Sequence, residues 1–112
     1  MTCVLGYITV PTREEAIALG RDLVASRLAA CANILPGMMS IYRWQGAIEE
    51  SPEVVLVVKT TSDLAEEAAA RIAARHSYEC PSVVFLDIAQ GHAPYLQWIA
   101  GETGRTRARR TD

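Results

Sequence analysis

The chain lacks a CxxC pair: its three cysteines, Cys3, Cys31 and Cys80, stand far apart. An odd number of isolated thiols excludes a disulfide framework and suits a reducing cytosol, so a cytoplasmic location is expected. No apolar run approaches the roughly 20 residues that a membrane helix needs, so no membrane partner is expected. The opening Met1 to Gly6 has no basic segment and passes straight into a strand pattern, so no signal peptide is expected. Lysine is almost missing. Lys59 is the only one, and the remaining cations are Arg, a bias that genomic base composition explains. There is no phosphate-binding loop, and no activated nucleophile accompanies any titratable group, so the reading is of a protein that is not an enzyme. Internal repeats and a second domain are also missing.

Half of the 112 residues are hydrophobic and 21% are charged, which is the balance of a globular chain and not a disordered one. The length gives one domain. The net charge of −2 is unevenly spread. Residues 103–112 hold four Arg and one Asp, so 1–102 keeps seven basic and twelve acidic residues, a net of −5. An acidic body argues against nucleic acid as a partner. The expected organisation is a single domain over 1–102 and a disordered Arg-rich tail over 103–112.

Taken in order, Cys3 to Val10 reads as a strand closed by Pro11, with β-branched residues at Val4, Ile8, Thr9 and Val10. Thr12 and Glu15 have the capping-box spacing. Ala16, Leu19, Gly20 and Leu23 then give one apolar helical face, ending near Ser26 or Arg27. Leu28 to Leu35 is small and apolar. Its place between a helix end and Pro36-Gly37 favours a buried strand, although helix is open by propensity. Ser40 to Glu49 reads as a hairpin turning at Gln45-Gly46, and Pro52 marks a bulge or an edge. Glu53 to Thr60 is a strand apolar on both faces, hence covered on both. Thr61-Ser62-Asp63 is the expected cap of a second helix, whose buried stripe is Leu64, Ala68 and Ile72. Ser82 to Ala89 is a further strand, and Pro94 opens a short terminal helix ended by Gly101 and Gly104. The order β-α-β-β-α-β plus a helix is that of an α+β, ferredoxin-like sandwich with an extended hairpin.

The densest chemistry lies in Arg75 to Pro81, where His76, Tyr78, Glu79 and Cys80 fall within five residues. His76 and Cys80 pair imidazole with thiolate, a donor set suited to Cu(I) or Zn(II), and two ligands leave a closed site needing a third. The competing reading is a capped helix-to-strand corner, with Cys80 as a small buried hydrophobe. Glu79 and His76 could exchange protons, or Glu79 could pair with Arg75 or Lys59. Cys31, among alanines, reads as inert. Lys59 ends an apolar strand, where it either holds an anion or reaches solvent. Tyr42, Trp44 and Ile48 on a long hairpin would form an exposed apolar patch, a partner surface. Tyr95 and Trp98 read as core or interface aromatics, and the aromatics together could also line a cleft.

Five segments carry a family likeness in order: Arg27-Leu28-Ala29-Ala30-Cys31-Ala32-Asn33; Tyr42-x-Trp44-x-Gly46-x-Ile48; Lys59-Thr60-Thr61; His76-x-Tyr78-Glu79-x-Pro81; and Tyr95-Leu96-x-Trp98-Ile99. Over roughly residues 3–100 the chain resembles the CutA family of divalent-cation tolerance proteins. The resemblance implies a ferredoxin-like fold similar to PII-type signalling proteins and a homotrimer with interlocked hairpins, its interface including Tyr42, Trp44, Ile48 and Trp98. It implies a role in response to divalent metals, chiefly copper, with no established reaction. With that trimer, the candidate site is a cleft near Lys59, His76, Tyr78, Glu79 and Trp44, completed by another subunit's hairpin and expected to take a metal ion or a small anionic ligand. The chain departs from the family pattern in places. Ser77 stands where the family has Pro, and Cys80 where it has an apolar residue. Of the copper ligands proposed in the family, a first-strand Cys and two adjacent His, this chain has Ile8, Arg75 and His76.

Overall fold

The computed structural model describes residues 2–104. Seven main elements follow in order: β1 (Cys3–Val10), α1 (Arg13–Ala25), β2 (Cys31–Trp44), β3 (Ala47–Thr61), α2 (Ala65–Arg75), β4 (Val83–Asp87) and α3 (Ala93–Gly101). The strands form one antiparallel sheet in the order β2-β3-β1-β4, the α+β, ferredoxin-like arrangement.

Strand periodicity assigns the two faces of the sheet. Ile8, Val10, Val54, Leu56 and Val58 point to the face that α1 and α2 cover. There they meet Ala16, Leu19, Leu23, Ala68 and Ile72 in the main core. The α1 stripe is the one its spacing predicts, buried at Ala16, Leu19, Gly20 and Leu23. Thr12 caps this helix by accepting the Glu15 N–H at 3.1 Å. Asp22 on α1 takes a two-pronged hydrogen bond from Arg71 on α2, at 2.6 and 2.8 Å, and clasps the two helices together.

The opposite face is only partly covered. α3 shields one end of it, where Ile99 packs on Cys3 and Ala30. Elsewhere Tyr7, Leu35, Val84 and Leu86 stay exposed. The expectation that β3 is covered on both faces holds over Glu53 to Thr60, where every residue is buried or half-buried; the open surface lies on β1, β2 and β4, beyond the reach of the nine-residue α3.

Two boundaries also differ from the sequence reading. Leu28 to Ala30 is a buried loop, and β2 begins at Cys31 and runs through Pro36-Gly37 to Trp44. The strand survives Pro36 because a bulge there, with Gly37 at φ +87°, shifts the register between Leu35 and Met38. The expected side-chain cap of α2 is absent. A single 3₁₀ turn over Ser62–Leu64 leads into the helix, and neither Thr61 nor Leu64 makes a capping hydrogen bond. The hairpin turn is as expected: Gln45 and Gly46 both hold positive φ, +50° and +83°, the geometry that matches strand twist in a two-residue turn. β2 and β3 carry this turn far from the helices, giving the chain an extent of 50 × 27 × 22 Å. Thr103 is buried and its hydroxyl donates to the Ile99 carbonyl at 3.1 Å. Most of the expected Arg-rich tail lies outside the described residues.

Candidate functional site

The corner between α2 and β4 divides into a sealed half and an open half. His76 forms the sealed half. Its side chain is fully buried. Its Nε2 lies 2.8 Å from the Thr9 carbonyl oxygen, an atom that only accepts, so Nε2 carries the proton. Its Nδ1 accepts the Tyr78 N–H at 3.0 Å. The imidazole is thus the neutral tautomer with both nitrogens engaged, bridging β1 to the corner. Glu15 completes this half. Its two carboxylate oxygens accept the Ser77 N–H at 2.9 Å and the Ser77 hydroxyl at 2.7 Å, with one lying 3.4 Å from His76 Nδ1. The Glu15 side chain, which a capping box would turn back to Thr12, turns across to α2's end instead.

The open half is a groove of about 540 Å³ on the uncovered face of the sheet. Register explains its walls. Glu53 shares that face with Val55, Val57 and Lys59 on β3 and with Thr9 on β1. Ser40, Tyr42 and Trp44 follow on the same side of β2, paired opposite Ser51, Glu49 and Ala47. The chain after α2 closes the other side with Tyr78, Glu79 and Cys80. Tyr78 joins the halves: its ring lies 4.7 Å from that of His76, and its hydroxyl donates to Glu53 Oε2 at 2.6 Å. Burial, and then this hydrogen bond to the carboxylate, push the Tyr78 hydroxyl well above the ordinary phenol value. Tyr78 is therefore a lasting donor to Glu53 and not a proton-transfer group near neutral pH.

The sequence-predicted residues separate accordingly. Trp44, Tyr78 and Glu79 line the groove together, and Cys80 joins them. Cys80 is an exposed free thiol, which removes its reading as a buried packing residue. His76 stands behind the groove, below Tyr78. Lys59 does not reach the groove within one chain. It lies six positions along β3 from Glu53, roughly 20 Å at strand rise, and its Nζ donates to Tyr95 Oη at 3.2 Å beside α3. Tyr42, Trp44, Ile48 and Trp98 are all exposed at 41% or more. Glu79 pairs with neither Arg75 nor Lys59; Arg75 turns to Asp22 at 3.3 Å. Among the described residues, no group of three or more His, Cys, Asp and Glu side chains is placed to hold a metal ion.

Glu53 is the residue that sequence reasoning missed. Its signal was faint: a carboxylate opening an apolar strand directly after Pro52. Only the register shows that it points inward beside Thr9.

Comparison with known proteins agrees with this architecture. The divalent-cation tolerance protein CutA of Thermus thermophilus is 47% identical over 97 residues, covering 87% of this chain and 94% of that protein. A solved structure from the same organism, described as divalent cation tolerance protein (Cut A1), superposes with a TM-score of 0.89 at 45% identity, covering 91% of this chain and 99% of that one. The chloroplastic CutA of Arabidopsis thaliana is 39% identical over 87% of this chain, which spans about half (53%) of that longer protein. The profile of the family described as CutA1 divalent ion tolerance protein matches residues 4–102. With a matching fold, a matching profile over nearly all described residues and relatives of this identity, the chain belongs to the CutA1 divalent ion tolerance family.

Proposed function

We propose that this chain works as a non-enzymatic homotrimer in divalent-ion response, and that its working site is the Glu53–Tyr78 groove, closed by the hairpin of a second copy. The observation that carries the reading is unsatisfied apolar surface on the open face of the sheet and on both faces of the projecting hairpin. Leu35, Ile41, Ile48, Val84 and Leu86 are more than half exposed, and Tyr42, Trp44 and Trp98 somewhat less so. Contiguous apolar surface of this kind marks a partner. A hairpin that projects beyond its own core gains cover from a second copy. Mass by light scattering at micromolar concentration should give three times the 12.2 kDa chain mass. A monomer in dilute buffer overturns the trimer and the shared groove with it.

A second reading is favoured by the engaged His76. A soft-metal site on His76 and Cys80 would have to break the Thr9 or Tyr78 hydrogen bond to free a ring nitrogen. The groove, in contrast, is preformed, concave and lined by aromatic and polar groups, the usual character of a small-ligand site. On this reading the protein is a ligand-binding scaffold, and metal acts on it indirectly. Thermal shift with copper, zinc and a small-molecule panel distinguishes the two, since only a species that binds the folded form raises the midpoint. Free thiols at Cys3, Cys31 and Cys80 suit work in a reducing compartment.

A further inference from the structure

The groove's charge is unbalanced. Glu53 is only 8% exposed, yet it makes no ion pair with any described residue. A carboxylate so buried is costly unless a cation or several donors answer it. Tyr78 supplies one neutral donor, to Oε2. Glu79 adds a second carboxylate to the groove lining, and among the described residues no Lys, Arg or His lines the groove. Tyr42, Trp44 and Tyr78 are the groove's aromatic residues, and Tyr42 and Trp44 each present about two-fifths of their surface. Carboxylates combined with aromatic rings in one concave site are what attracts an ammonium group, through charge on one side and the ring quadrupole on the other. A bare metal ion fits less well. The volume of about 540 Å³ far exceeds one ion, and no three-ligand cluster is present among the described residues.

We infer that the groove binds a small organic cation of the alkylammonium class, its charge held by Glu53 and Glu79 and its carbon chain lying against Tyr42 and Trp44. The inference rests on the groove being the ligand site and assigns the chemistry of what enters it. It reverses the anionic ligand that the sequence suggested, because the sole lysine faces Tyr95 instead.

The test is calorimetric titration of the full chain with 1,4-diaminobutane and with tetramethylammonium at fixed ionic strength. The neutral diol 1,4-butanediol, zinc chloride and inorganic phosphate serve as comparisons. Saturable binding of a cation and none of the diol is expected. Glu53→Gln should weaken it by about tenfold or more, as loss of a buried charged partner does. Because Glu53→Gln also touches the fold through Tyr78, the exposed-site variants Glu79→Gln and Trp44→Leu provide a second measure, and each should weaken binding severalfold. Equal binding of the diol, or unchanged affinity in all three variants, overturns the inference. Binding of zinc or phosphate in place of the amines overturns the cation class but leaves the groove as the site. No binding by any probe overturns both.

Discussion

The two halves of the corner after α2 use similar residues and finish them differently. On one side, Glu15 and His76 have every polar atom directed at a partner within the chain. On the other, Glu53 has one neutral donor and an open groove in front of it. Both contain a largely buried carboxylate. With His76 neutral, neither carboxylate faces a cation among the described residues, but Glu15 has donors on both oxygens and Glu53 has one donor. Residue type alone pointed to His76 as the chemical group, but both its ring nitrogens are engaged within the chain, while Glu53 opens onto the groove that we propose as the site. A buried polar network that is complete rigidifies; one that is incomplete leaves a polar group at a cost.

The strongest way to break this contrast is His76→Ala. It removes a fully buried ring and orphans the Thr9 carbonyl, and should destabilise by about 3 kcal/mol, read as a lower urea midpoint at fixed protein concentration. A change below about 0.5 kcal/mol would show that the sealed half is not structural. Tyr78→Phe comes next. It deletes the one donor to Glu53 found among the described residues and should cost about 1–2 kcal/mol while leaving His76 in place. If the groove ligand is cationic, its presence should reduce that cost, since it offers Glu53 another partner.

Asp22 gives a control away from the corner. The Arg71 hydrogen bonds hold its carboxyl below the ordinary value of 3.8, against the opposing effect of partial burial, with the charges of Arg71 and Arg75 assisting. A depressed carboxyl contributes stability that is complete above its unfolded value and fades as pH falls toward the folded one. Asp22→Asn should therefore lower the melting midpoint by a few degrees at pH 7, and the deficit should shrink below about pH 4. A deficit constant with pH would mean that packing, not charge, holds α1 to α2. The smallest effect belongs to Cys80→Ser. The thiol is exposed, so stability should stay within about 0.5 kcal/mol by the same urea assay.

Much of the scaffold was legible because local rules and tertiary structure agree there. Thr12 with the stripe Ala16, Leu19, Gly20 and Leu23 defined α1, and Gln45-Gly46 defined the hairpin turn. Where the reading failed, non-local terms had won. β2 passes through Pro36-Gly37 because twelve pairings with β3 outweigh one breaker, absorbed as a bulge. The cap expected at Thr61 to Asp63 gives way to a 3₁₀ turn, while Thr61 itself is fully buried at the strand end. Of the site, Trp44, Tyr78 and Glu79 were recognisable, and Glu53 was not. Its importance depends on lying beside Thr9 and under Tyr78, 25 residues further along the chain. The state of His76 was equally hidden, since its partner Thr9 is 67 residues away.

The central claim is that His76 is sealed and Glu53 is the open group. Nitrogen-15 NMR of the His76 ring, with and without added zinc or 1,4-diaminobutane, tests it most directly. The account predicts a neutral ring protonated at Nε2 whose signals hold still on each addition, while the indole of Trp44 shifts with the diamine. Loss of the Nε2 proton signal or a metal-induced shift at either ring nitrogen would place His76 among the ligands and contradict the account.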